Sequence, residues 1–154
     1  MSVGLLTFQR FNGIEQFAIQ QAQLFLLDGY DQCSPCLSFD FTADASPLAT
    51  LPDTESLHAS PSGEFNVYVP NLDVENLVGQ VFSIPRGAVD GDWYARIYYV
   101  EHDAANKCTL RVLERDGERF RVAVDGYCTD LNYYDGSRPD TRLELDAWFT
   151  IHRS

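Results

Sequence analysis

The chain has 154 residues, 45% of them hydrophobic and 22% charged, with 10 Phe, 8 Tyr and 2 Trp. It is long enough to bury the core of one domain without staples and too rich in aromatic residues to be disordered. Its 23 acids against 11 bases leave a net charge of −12, which argues against a nucleic-acid backbone or an anionic membrane as partner and permits a basic protein, a cation or a plain solvated surface.

The acidity is unevenly placed. Residues 1–85 hold one base, Arg10, against ten acids, a local net of −9, while residues 86–154 hold ten bases against thirteen acids, a net of −3. An acidic face would therefore be supplied mostly by the N-terminal half. Ten of the bases are Arg and one, Lys107, is Lys; guanidinium groups suit bidentate pairing with carboxylates in surface networks. No apolar run approaches the ~18 residues of a membrane helix, and MSVGLLTF lacks the basic start and apolar length of a secretory signal. A cytoplasmic location is the expectation. With it, Cys33, Cys36, Cys108 and Cys128 are expected to be thiols rather than a disulfide framework.

In chain order, residues 1–13 suggest a short strand or arm with Leu6, Phe8 and Phe11 available to pack. Ile14–Asp28 fits two periods: Ile14, Phe17, Ala18, Gln21 and Phe25 trace a helical face, while Ala18, Ala22, Leu24 and Leu26 trace a strand. The run LFLLD before Gly29 favours a strand from about Phe17. Asp31–Cys36 predicts a turn around Ser34-Pro35. The next segment alternates, with Leu37, Phe39 and Phe41 on one side and Ser38, Asp40 and Thr42 on the other. Residues 43–62, with their Pro, Ser and Thr content, form the longest predicted loop.

Glu64–Val69 alternates again and Pro70 ends it; Asn71–Val78 has room for a short helical turn. Gln80–Ile84 predicts a strand closed by Pro85, and Arg86–Asp92 a turn. Trp93–Glu101 is apolar on both sides and is expected to be a central strand covered from two directions. Cys108–Gly126 is a hairpin about Asp116-Gly117. A three-residue loop with Gly117 at positive φ pairs Val112 with Phe120, Leu110 with Val122 and Cys108 with Val124, sorting the apolar set onto one face. That register puts Cys108 and Cys128 about four rows, or ~13 Å, apart, too far for a disulfide. Arg142–Ile151 is the clearest strand, with Leu143, Leu145, Ala147, Phe149 and Ile151 facing one way. The expected fold is an all-β single domain spanning 1–154: an antiparallel β-sandwich of jelly-roll or Greek-key type with about eight strands and at most one short helix.

Candidate chemistry gathers in Tyr127–Pro139. Asp130, Asn132, Tyr133, Tyr134, Asp135 and Arg138 are the candidate ligand- or partner-binding residues, because exposed Tyr gives rigid contact area beside polar groups. Asp130, Asn132 and Asp135 also supply oxygens of the kind calcium takes, although the spacing departs from an EF-hand loop. Cys33 and Cys36 have the spacing of half a zinc site, which Cys108, Cys128, His58, His102 or His152 would have to complete. Glu101, His102 and Asp130 are the only acid–base set for a hydrolase, and no nucleophile elbow or phosphate-cradling loop accompanies them. Trp93, Tyr94, Tyr98, Tyr99, Tyr133, Tyr134 and Trp148 raise a carbohydrate-binding alternative. The leading expectation is a non-enzymatic module, without cofactor, that binds a basic protein; a carbohydrate- or calcium-binding lectin-like domain comes second and a hydrolase third.

Overall fold

The computed structural model describes residues 2–11, 13–29, 34–48, 60–85, 88–89, 92–99, 101–129, 137 and 139–152, with backbone alone at 88–89, 92–93 and 101–104. Twelve strands are formed: β1 (Gly4–Arg10), β2 (Gly13–Leu27), β3 (Cys36–Ala43), β4 (Ser62–Tyr68), β5 (Val81–Ile84), β6 (Ala88–Val89), β7 (Asp92–Trp93), β8 (Ala95–Tyr99), β9 (Glu101–Ala104), β10 (Asn106–Asp116), β11 (Arg119–Cys128) and β12 (Thr141–His152). The all-β class follows from period-two alternation, plainest in β12, where Leu143, Leu145, Ala147, Phe149 and Ile151 are buried between half-buried or exposed neighbours.

Ten strands form one hydrogen-bonded sheet in the order β5-β10-β11-β12-β1-β2-β3-β4-β8-β9, and β6 pairs only with β7. The all-β class is as expected; among the described strands the hydrogen bonding joins ten into one continuous sheet and does not by itself separate the two layers of a sandwich. The core is reached by rolling that sheet so that its inner face meets itself. Phe8 on β1 and Tyr99 on β8 lie four strands apart in that order, ~19 Å in a flat sheet, yet their ring centroids are 5.7 Å apart. Phe17 on β2 meets Tyr99 edge-on at 5.5 Å, and Phe39 on β3 meets Phe149 on β12 at 5.4 Å. β1 is wedged between β12 and β2. Beyond its N-terminal end, Thr150–His152 of β12 pairs directly and in parallel with Gln23–Phe25 of β2.

The fifteen-residue β2 settles the ambiguous segment as a strand from Gly13 onward. Its register against β3 shifts between Ile19 and Gln21. That bulge switches the buried set from Phe17 and Ile19 to Ala22 and Leu24, and the parity change imitates a helical period. The hairpin also carries a bulge. Asp116 pairs with Arg119, Val112 with Val122 and Leu110 with Val124, with a register shift between Val112 and Glu114. The loop is therefore two residues, not three. Leu113 is the extra residue that restores apolar sorting, and the predicted pairs are displaced by two positions. Gly117 has the expected positive φ, 61°. Cys108 abuts Gly126, whose added Cβ would lie 2.5 Å from the Cys108 Sγ. Cys128 is thus two rows from Cys108 rather than four; both are buried free thiols.

Two other expectations change. Trp93–Glu101 is not one central strand: it divides into β7, a bend at Tyr94 and β8, next to the edge strand β9. Ala95, Ile97 and Tyr99 are buried while Tyr98 is 37% exposed, so only one side is covered. Asn71–Val78 forms successive turns, closed by Leu77 N–H donating to Val74 O and Gln80 N–H to Leu77 O; no helix occurs among the described residues. No helix is long and apolar enough to cross a membrane.

Candidate functional site

The six residues proposed from the sequence as a partner site, Asp130, Asn132, Tyr133, Tyr134, Asp135 and Arg138, lie outside the described residues, as do Cys33 and His58. What is described are the places where their segment leaves and rejoins the sheet, Cys128 and Thr141, both fully buried. The strand directions put Cys128 and Thr141 at the same end of the rolled sheet as the ends of β1 and β3 and the starts of β2 and β4. At that end the core contains a polar group. Arg10 Nη1 lies 3.3 Å from Glu15 Oε1, and the Tyr99 hydroxyl donates to Glu15 Oε2 at 3.4 Å. Arg10 and Glu15 side chains are 2% and 5% exposed. The single base of the acidic half is therefore held inside the fold.

Cys36 opens β3 as a buried thiol whose Sγ lies 3.9 Å from Asn66 Oδ1. Among the described residues no group of three or more His, Cys, Asp or Glu side chains is gathered as a metal site. Glu101 and His102 fall in β9, paired with Tyr99 and Tyr98 respectively. Among the described residues the candidate aromatic side chains, Tyr94, Tyr98, Tyr99 and Trp148, do not assemble into one platform; Tyr133, Tyr134 and the Trp93 side chain lie outside the described residues. Tyr99 is fully buried, Tyr94 packs edge-on against Tyr68 at 5.7 Å, and the face of Trp148 carries the Arg119 guanidinium 5.1 Å from its centroid.

The outer face bears two polar grooves. The larger, about 340 Å³, runs over β10, β11, β12 and β1, with Leu5 and Ala123 on its floor and Arg111, Asp125, Arg142, Glu144 and Asp146 around it. Asp125 and Glu144 are cross-strand partners. Asp125 Oδ1 is 3.5 Å from Arg111 Nη1, and this buried oxygen accepts no hydrogen bond; the two observations agree in describing an ion pair that is attractive but poorly aimed. Beneath it, burial pushes the Cys108 thiol up to about 12, helped by the Asp125 charge. The smaller groove, about 220 Å³, lies over β3, β4 and β8 and is lined by Asp40, Thr42, Ser62, Glu64, Arg96 and Tyr98. Sequence reading placed Asp40 and Thr42 correctly on the outward side of β3 but gave no means of bringing Glu64, Arg96 and Tyr98 to them; that requires the register of three strands.

Charge is distributed by pairing. Every arginine among the described residues has a carboxylate within 4 Å: Arg10 with Glu15, Arg96 with Glu64, Arg111 with Asp125, Arg115 with Glu75, Arg119 with Asp116, Arg121 with Glu114 and Asp146, and Arg142 with Glu144. Arg121 is bidentate, its Nε and Nη2 donating to Asp146 at 3.0 and 2.8 Å while Nη1 donates to Glu114 at 2.8 Å. These hydrogen bonds, those to Asp146 first, hold its guanidinium above the usual value. Asp28, Asp44, Asp73 and Asp140 stand exposed without a cationic partner among the described residues. Comparison of the chain with family models, curated proteins and solved structures finds no match.

Proposed function

We propose that the protein is a non-enzymatic binding module whose partner is a protein with a basic surface, and that it works in the cytoplasm. The observation carrying this reading is the pairing of all seven described arginines with carboxylates of the same chain. Among the described residues internal pairing engages every arginine and leaves Asp28, Asp44, Asp73 and Asp140 exposed without a cationic partner, so that much of the net charge of −12 is expressed as unpaired carboxylates. Such charge accelerates encounter with a cationic surface and disfavours acidic competitors.

The test is titration of the whole chain with poly-L-lysine, and with poly-L-glutamate and duplex DNA as controls, in buffers of increasing salt. Binding to poly-L-lysine should weaken steeply as the Debye length falls below ~10 Å, and neither control should bind. An affinity for poly-L-lysine indifferent to ionic strength would refute the charge argument.

A further inference from the structure

We infer that the groove over β3, β4 and β8 is a socket for a lysine side chain of that basic partner, with Asp40 as the counter-ion. The inference rests on the functional reading above and assigns it a place.

The register builds the site. Asp40, Glu64 and Arg96 form one row across the three strands, and Thr42, Ser62 and Tyr98 form the next. Gly63 lets β4 and β8 approach, since a Cβ there would lie 2.6 Å from the Arg96 carbonyl oxygen. In the first row Arg96 Nη2 is 2.9 Å from Glu64 Oε1, so the one guanidinium is paired with the adjacent carboxylate and acts on Asp40 only through its charge. Asp40 has a single hydrogen bond among the described residues, donated by the Ser38 hydroxyl to Oδ1 at 2.8 Å. The lining thus holds two carboxylates and one guanidinium, a net of −1 centred on Asp40. Burial disfavours the ionised form of this carboxyl, which is the state a docked cation would stabilise.

The shape and the remaining groups select the cation. About 220 Å³ is below the ~300–1,000 Å³ of a site for a whole drug-sized ligand and suits one side chain. An arginine fork engages both oxygens of a carboxylate in its plane, and the Ser38 hydroxyl already takes part of the acceptor capacity of Oδ1. A lysine ammonium is a compact charge with three donors, and the lining offers it the Asp40 carboxylate and the Thr42 and Ser62 hydroxyls as acceptors. The ring of Tyr98, 37% exposed, gives the lysine stem an apolar wall. A divalent cation is disfavoured by the guanidinium beside Glu64.

The experiment is an NMR titration of the full chain with acetylated, amidated Gly-Xaa-Gly peptides in which Xaa is lysine, arginine or norleucine, with poly-L-lysine binding measured in parallel. The lysine peptide should shift the amides of Asp40, Thr42, Ser62 and Tyr98 saturably, and norleucine should not. Asp40→Asn, which keeps an acceptor for Ser38, should weaken the lysine peptide on the order of fivefold or more. Thr42→Lys, which supplies an ammonium from within, should block it, and Asp28→Asn should leave it unchanged. Tighter binding of the arginine peptide, or lysine binding indifferent to both groove substitutions, would overturn the socket. In those cases salt-sensitive poly-L-lysine binding leaves the basic-partner reading standing; its loss as well removes both.

Discussion

Arg10→Met is the sharpest perturbation of the fold, because it leaves a buried acid behind. Glu15 is 4% exposed, and among the described residues its carboxylate meets the Arg10 guanidinium and the Tyr99 hydroxyl. Methionine fills much of the arginine stem's volume but supplies neither charge nor donor, so Glu15 keeps one neutral hydrogen bond in a closed environment. Breaking a buried pair from one side costs about 3–5 kcal/mol. At about 2–4 °C per kcal/mol for a chain of this size, the melting midpoint should fall by roughly 10 °C. Replacing both partners, Arg10→Met with Glu15→Leu, should restore most of that loss, since a buried pair often does no better than apolar residues of similar volume. Thermal melts of the four proteins of the cycle, followed by circular dichroism in one buffer, supply the comparison. A single variant melting within ~2 °C of the parent, or a double variant less stable than either single, would mean that the pair does not compensate buried charge as argued.

Three other outcomes follow from the geometry. Gly126→Ala places a methyl 2.5 Å from the Cys108 Sγ and 3.1 Å from its Cα, and should cost about 1–3 kcal/mol by overpacking, read as a lower urea midpoint with an unchanged slope. Cys108, with its thiol raised to about 12, should be alkylated by iodoacetamide on the order of 10³-fold more slowly than a free thiol near pH 8, as followed by peptide mass mapping; rapid native modification would contradict its burial. Burial raises the Asp40 carboxyl, against smaller lowering influences from Ser38 and Arg96. The native state therefore binds this proton more tightly than the unfolded chain, and its contribution to stability declines as pH rises from below 3.8 through the native value. Asp40→Asn should accordingly gain on the parent in thermal melts as pH moves from acid to neutral, and parallel curves would refute this.

Sequence legibility tracked the simplicity of the local pattern. Leu143 to Ile151 alternates without interruption, and the structure buries those residues as read. The segment beginning at Ile14 was ambiguous for a definite reason: one extra residue near Gln20 moves burial from odd to even positions, which periodicity alone cannot separate from a helix. Leu113 had the same effect on the hairpin. A three-residue loop sorts the apolar residues onto one face only if both strands are unbroken, and the bulge removes that premise. Tyr94 and Tyr98 looked like the second apolar face of a central strand. Tyrosine carries a polar tip, however, so apolar composition on both faces did not require cover on both. Whether one sheet rolls or two sheets stack was beyond any local pattern, because both bury alternate residues in the same way.

The exposed ion pairs bear on function more than on stability. Pairs such as Arg96–Glu64 and Arg121–Asp146 have side chains between a quarter and a half exposed, and pairs of that kind contribute about 0–1 kcal/mol each. Their larger consequence is to confine positive charge. The C-terminal half spends its bases on its own acids: Arg111, Arg119, Arg121 and Arg142 all find partners on β10, β11 or β12 or in the turn between β10 and β11. The N-terminal half has one base, Arg10, and buries it. Among the described residues its other ion pairs come from Arg96 on β8, reaching Glu64, and Arg115 on β10, reaching Glu75. Asp28, Asp44 and Asp73 are left without a cationic partner among the described residues, and β3 and β4, which carry Asp40 and Glu64, belong to the same half of the chain. Those three unpaired acids and the two carboxylates of the groove proposed as a lysine socket thus lie in the same half of the chain.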